Sequence, residues 1–263
     1  MLTRILAAVV LAPPFLWCVW QGGVWFFGLV LFLSMMAEHE YNQIVKGGGQ
    51  TSQAAVGYVW TALLFAGMHL AGASGLLAAV AVVPNVLLLR YLAKDDIGGA
   101  ALECAWTCYG VIAYSLPLAF LWLLRDGKDG RALLLVLLTL VWVQDSAAYF
   151  WGKGLGKHKL QATISPKKTW EGAILGWLTA LAAVYACVTL YLGRPMSLLA
   201  LAGYGLTGIS AQLGDLNESL LKRNMGVKDS GTIIPGHGGI LDRFDSFTFA
   251  APVMYYVAQA API

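Results

Sequence analysis

Two clusters of charge interrupt an otherwise apolar sequence, and their make-up points to phosphate chemistry. The first spans 151 to 170, where Lys153, Lys157, Lys159, Lys167 and Lys168 precede any acid, a charge of +5 that ends at Glu171. A basic loop of this kind attracts an anion. The second spans 214 to 246 and sets four cations, Lys222, Arg223, Lys228 and Arg243, against five carboxylates, Asp215, Glu218, Asp229, Asp242 and Asp245, a sum of −1. Carboxylates facing an anionic substrate repel it unless a divalent cation lies between. Mg²⁺ suits that place because it favours one or two carboxylates plus substrate phosphates over a full protein cage. Lysine and arginine would then hold phosphate oxygens while the metal neutralises charge developing in phosphoryl or nucleotidyl transfer. Simple salt bridging competes as an explanation of the second cluster, and a topology signal competes for the lysines of the first. Neither explains Asp145 embedded at the end of an apolar run, nor lysines set between the Pro166 turn and the next helix start.

Local patterns indicate how such residues are presented. If 215–223 is helical, Asp215, Glu218, Ser219 and Lys222 share one face with Arg223 beside them. Thr169 is placed to cap the helix after it, whose first turn offers free N–H groups and a positive dipole end to an anion. Gly236, Gly238 and Gly239, around His237, let the backbone turn sharply beside a ligand. Two glycine patterns are decoys. Gly203 to Gly208 spells a dinucleotide fingerprint but lies inside an apolar run with no preceding strand, and Gly152 to Lys157 is one residue short of a phosphate loop and is followed by His158. Close helix packing explains the first, as it does Gly172 and Gly176.

The elements that must carry these clusters are set by composition. Of 263 residues, 59% are hydrophobic and 12% charged, with a mean hydropathy of +0.68. An ordinary soluble domain carries about twice that charge, so a soluble globule, a disordered chain and a fibre are excluded. Unbroken apolar runs of about 15 to 25 residues, without the alternation of barrel strands, read as helices. The fold class is all-α: a polytopic integral membrane protein with about nine transmembrane helices. The runs are 5–20, 24–37, 54–72, 75–93, 100–124, 132–150, 172–192, 197–213 and 247–262. Pro13 and Pro14 break the first, which with the second forms a tight hairpin through Gln21, Gly22 and Gly23; although it resembles a signal peptide behind Arg4, it is kept as mature structure. On this drawing 13 of the 17 lysines and arginines fall on one side. The positive-inside rule then puts the N-terminus and both polar loops, 151–171 and 214–246, in the cytoplasm. The active site is expected at the cytoplasmic membrane boundary. An N-terminal transmembrane region, 1–140, precedes a catalytic one, 141–263, in a single integrated membrane unit.

Other residues read as structural. Cys18, Cys104, Cys108 and Cys187 all lie in apolar runs and serve as small packing residues. Gly47 to Gln53 reads as a flexible loop. Glu38, His39 and Glu40 read as a solvated interfacial turn rather than a ligand cluster, and Glu103 as a polar contact between helices.

The stretch Ser219-Leu220-Leu221-Lys222-Arg223, then Lys228-Asp229, then His237-Gly238-Gly239 with Asp242, Arg243 and Asp245, closely resembles the signature of the phosphatidate cytidylyltransferase family, also called CDP-diacylglycerol synthases. Upstream, Asp145-Ser146 with Ala148-Tyr149, Gly156-Lys157, and Ser165-Pro166 with Lys168-Thr169 and Glu171-Gly172 are similar to family motifs. The resemblance covers 145 to 246 and implies attack of the phosphate of phosphatidic acid on the α-phosphorus of CTP, giving CDP-diacylglycerol and pyrophosphate. It implies Mg²⁺ at Asp215 and Asp242, and phosphate contacts by Lys222, Arg223 and Arg243. His237 and Asp245 join the catalytic set, with His237 contacting a phosphate rather than removing a proton, since the nucleophile is already anionic. Asp145, Ser146, Tyr149, Lys157, Ser165, Lys168, Glu171, Ser219, Lys228 and Asp229 are the expected substrate-binding residues. CTP, phosphatidic acid and membrane lipid are the expected partners, with no nucleic acid, in a homodimer of the bacterial inner (plasma) membrane. A CTP-dependent lipid kinase is the nearest rival. A transporter would instead carry its charges at mid-span and in repeated halves.

Overall fold

The computed structural model describes residues 2–93, 97–231, 233 and 238–261. Helices dominate: α1 (Leu2–Gln21), α2 (Gly23–Gly47), α3 (Ala54–Leu89), α4 (Ala100–Gly110), α5 (Leu116–Asp126), α6 (Gly130–Leu155), α7 (Trp170–Ala186), α8 (Leu198–Asn224) and α9 (Leu241–Ala260). A two-stranded antiparallel hairpin, β1 (Lys159–Gln161) and β2 (Ser165–Thr169), sits in what the sequence presented as a loop. Among the described residues, five stretches are long and apolar enough to cross a membrane: Ala54–Gly72, Ser74–Leu92, Ala100–Asp126, Gly130–Leu155 and Trp170–Tyr191. Large apolar side chains such as Leu70 and Leu190, each 83% exposed, are the surface expected where lipid is the solvent.

Breaks in the helices follow their residues. Gly72, at φ 58°, kinks α3 between two of the spans. A π-helical turn, Val111–Ser115, joins α4 to α5 just ahead of Pro117, whose ring removes a helix N–H donor. Pro13 and Pro14, expected to interrupt the first run, lie inside a continuous α1. The turn into α2 uses positive φ at Gly22 and Gly23, and Trp17 meets Trp25 edge-on at 5.3 Å across it.

The chain forms two compact units. The first comprises residues 1–119 with 224–243, the second 120–223 with 244–263. Phe26, Tyr41, Ile44, Trp60, Leu64 and Phe65 fill the core of the first. Two expectations are overturned there. The Gly47–Gln53 stretch is tied down rather than loose: Gln50 N–H donates to Val45 O (3.1 Å), Gln53 N–H to Thr107 Oγ1 (2.8 Å), and the Ser52 hydroxyl to Asn42 Oδ1. The backbone of Gly48 packs on Met225, where a Cβ would lie 3.1 Å from the methionine Cβ. Nor is 38–40 a solvated turn. Helix α2 continues through it, burying Glu38 and Glu40 completely while His39 Nδ1 lies 2.9 Å from the Tyr58 hydroxyl. Asn42 Nδ2 (3.3 Å) and the Ser115 hydroxyl (3.3 Å) donate to the Glu38 carboxylate, the π turn supplying the latter.

In the second unit α6, α7 and α8 are tied to one another by hydrogen bonds. Gln144 of α6 donates to Gly208 O (2.8 Å), Trp177 Nε1 of α7 to Gly205 O (2.8 Å), and Gln212 of α8 to Ala173 O (3.0 Å). Small residues allow that approach, as their spacing indicated: a Cβ on Gly172 would lie 2.7 Å from Ala148 O, and one on Gly176 2.7 Å from Ala148 Cβ. All four cysteines are free thiols.

Gly176→Ala should therefore destabilise the protein by about 1–3 kcal/mol through overpacking, read as a lower melting temperature in detergent. An unchanged melting temperature would show that α6 and α7 can part freely.

Candidate active site

Helix α8 runs unbroken to Asn224, so the residues expected on one face are there. Lys222 Nζ lies 2.6 Å from Glu218 Oε2, with the pair 8% and 1% exposed, and the Ser219 hydroxyl is 3.5 Å from Asp215 Oδ1. Lys168 of β2 forms an ion pair with Asp215. Arg223 Nε donates to Ile164 O in the hairpin turn (3.3 Å), joining α8 to the hairpin.

Local chemistry holds that hairpin in place. Lys159 pairs with Thr169 and Gln161 with Ser165. The Thr169 hydroxyl accepts from Gly172 N–H (3.2 Å), the cap its position indicated. A Cβ on Gly156 would come within 2.7 Å of Thr169 Oγ1, so the Gly156-Lys157 step needs its glycine. Glu171 turns back onto this corner, accepting from Lys157 N–H (3.1 Å) and His158 N–H (3.2 Å) and lying 2.6 Å from His158 Nδ1. It braces the turn, leaving Lys153, Lys157, Lys159 and Lys167 exposed. Asp145, Ser146 and Tyr149 are exposed along α6, and Ser165 is half-buried in β2.

Asp245 belongs to the same unit. Its Oδ1 accepts from Ser246 N–H (2.6 Å), and its carbonyl oxygen would be 2.5 Å from a Cβ on Gly214, so α8 and α9 meet through that glycine. Burial, then the charges of Asp215 and Glu218, raise its pKa well above the ordinary aspartate value of 3.8.

This donor set suits a divalent cation. Carboxylates that oppose one another's ionisation are relieved by positive charge, and Lys168 already supplies one such charge to Asp215. No group of three or more potential protein ligands is assembled among the described residues. Mg²⁺ would need few protein ligands, since it retains water and takes substrate phosphate oxygens.

The first unit carries the rest of the expected set. Lys228 and Asp229 are exposed, and Arg243 is exposed in the first turn of α9. Asp242 Oδ2 accepts from Ser230 N–H (3.1 Å) and Gly239 N–H (2.9 Å). His237 lies outside the described residues. A residue that sequence reasoning missed is Glu40 of α2: its carboxylate accepts from Ile240 N–H (2.9 Å), Leu241 N–H (2.7 Å) and the Ser230 hydroxyl (3.1 Å). The available signal was two acids at the end of an apolar run, where a charge is costly without a purpose.

The sequence matches the family described as the cytidylyltransferase family over residues 2–261. The phosphatidate cytidylyltransferase of Brucella suis biovar 1 (strain 1330) is 36% identical over 260 residues, 96% of this chain and 91% of the relative. That of Staphylococcus aureus (strain COL) is 38% identical over 174 residues, 66% of each chain.

The carboxylate grouping has a pH signature in metal-free protein. A carboxyl whose pKa is higher folded than unfolded destabilises the fold above the unfolded value, and the penalty disappears once the pH falls below it. Asp245→Asn should thus melt higher than the parent at pH 7 in chelator, with the difference closing as the pH falls towards 3.8. A variant that melts lower than the parent at pH 7 would contradict the cost of burying this carboxyl beside other acids.

Proposed function

The chain belongs to the cytidylyltransferase family, and on that premise we propose that it transfers the cytidylyl group of CTP to phosphatidic acid, forming CDP-diacylglycerol and releasing pyrophosphate. The observation that carries this is the family match across residues 2–261, joined by relatives of that activity at 36–38% identity. The γ-phosphate transfer of a lipid kinase and the transporter reading have no such support.

The proposed chemistry is an in-line displacement. An oxygen of the phosphatidate phosphate bonds to the α-phosphorus of CTP, and the bond from that phosphorus to the bridging oxygen of the β-phosphate breaks. The nucleophile is anionic at neutral pH, so a strong general base is not required, and His237 is assigned to a phosphate contact. Lys222, Arg223 and Arg243 hold phosphate oxygens as charge shifts towards pyrophosphate. Buried against Glu218, Lys222 is oriented by that ion pair. Lys168 offsets the charge of Asp215, and Asp245 completes the acidic grouping of its unit. Asp215 and Asp242 would each bind Mg²⁺, which supplies Lewis-acid neutralisation of phosphate charge when bound.

The lysines of 151–170 draw the anionic substrates. Diacylglycerol tails stay in lipid while CTP arrives from water, so a boundary location is the one both substrates can reach. The 13-to-4 split of cations supports an N-terminus and both loops on the cytoplasmic side of a bacterial inner membrane, with about nine helices crossing it. A homodimer rests on the family resemblance.

Supplying CTP labelled at the α- or the γ-phosphorus tests the reaction. The α-label should enter chloroform-extractable product in a Mg²⁺-dependent manner, while γ-label in the lipid would establish a kinase instead. Asp215→Asn and Asp242→Asn should each lower turnover by about 10²-fold or more while the protein still folds in detergent. Activity like that of the parent in either variant removes that residue from the metal-binding set.

A further inference from the structure

We propose that Glu40 is a positioning residue for the reaction, setting the segment that presents Asp242 and Arg243 by capping the N-terminus of α9 from a distant helix. Helix α9 opens at Leu241, preceded by Gly239 and Ile240, neither of which has a side chain able to accept from the free N–H groups of its first turn. Glu40, about 200 positions earlier in the sequence, does so instead. Its Oε1 takes Ile240 N–H at 2.9 Å and its Oε2 takes Leu241 N–H at 2.7 Å. A carboxylate at this end of a helix also faces the positive end of the dipole.

The contact extends to the catalytic aspartate through one serine. The Ser230 hydroxyl donates to Glu40 Oε2 (3.1 Å) and accepts from Asp242 N–H (3.3 Å), while Ser230 N–H donates to Asp242 Oδ2 (3.1 Å). Gly239 N–H donates to that same oxygen (2.9 Å). The carboxylate of Asp242 is thus aimed by two N–H groups from backbone that Glu40 itself holds. Steric fit confines the arrangement: a Cβ on Gly239 would collide with Ser230 Oγ and Glu40 Oε2, and one on Gly231 would lie 2.8 Å from Glu40 Oε1. Glu40 is 1% and Ser230 4% exposed, so water does not compete for these bonds.

Charge, not volume, is what this role requires. Glutamine has nearly the same shape but presents an amide NH₂ where a second acceptor is needed, setting donor against donor. Aspartate keeps both acceptors at the cost of reach. The inference rests on the roles proposed for Asp242 and Arg243, and the test separates the two. Turnover of CTP and phosphatidic acid in mixed micelles is measured for the full chain, with its melting temperature. Glu40→Gln should lower kcat about 10- to 100-fold, as losing a partner that orients a ligand does, and Glu40→Asp should recover part of it. Ser230→Ala, which keeps the buried carboxylate and both of its backbone N–H partners, should lower kcat several-fold. Glutamine matching the parent or outperforming aspartate overturns the proposal, as does full kcat in Ser230→Ala. Where either of those results is accompanied by an inactive Asp242→Asn, the catalytic assignment stands and only the positioning role fails. If Asp242→Asn and Arg243→Ala both retain full turnover, the catalytic assignment itself fails and takes the positioning role with it.

Discussion

A carboxylate withdrawn from water costs several kcal/mol unless protein groups replace its hydration, and this constraint shapes both units of the chain. Its cost is met in three ways. Glu218 is paired with Lys222 one helical turn away, both buried. Glu38 is hydrogen-bonded by Asn42 and by Ser115, which a π turn delivers. Glu40 is surrounded by backbone N–H groups at the start of α9 and by the Ser230 hydroxyl. Asp245 is the exception: burial and neighbouring acids raise its pKa, leaving a local demand for positive charge. In a protein with 14 acids among 263 residues, three are buried and matched by specific partners in this way.

The hairpin and the helix ends serve the same requirement. Lysines at 153, 157, 159 and 167 remain exposed because Glu171 and Thr169 satisfy the corner beneath them through main-chain contacts. Lys168, on the opposite side of β2 from Lys167, reaches Asp215. The strand's two-residue alternation thus divides neighbouring lysines between an exposed surface and an ion pair with Asp215. Arg223 is likewise tied to the hairpin turn, so α8 and the basic loop of the second unit are joined by a hydrogen bond and an ion pair.

Much of this was legible along the chain. Apolar run length marked the helices, the acids and cations of 215–223 fell on one helical face as their spacing required, Thr169 capped α7, and glycines at 172 and 176 marked close helix contact. Each of these depends on residues within a few turns of one another. The failures involve partners far apart in sequence. The 47–53 stretch read as loose because Thr107 and Met225, which pin it, lie distant in the chain. Glu38 and Glu40 read as solvated because their acceptor duties are to residues as far away as 115 and 241. The 151–171 segment read as a loop because strands of three and five residues carry too little periodicity to register.

The sequence by itself determined the solvent, the helical class and the family signature, since hydropathy, helical spacing and motif identity are properties of short stretches. Only the tertiary structure decided which partners each carboxylate meets and which backbone it holds. Glu40 and Asp242 are both acids beside apolar runs, and Glu171 is an acid in a basic loop. What separates their roles is the set of N–H groups each one meets. Those groups come from segments up to about 200 residues away, and a hydrogen bond of about 3 Å is decided by folding, not by proximity along the chain.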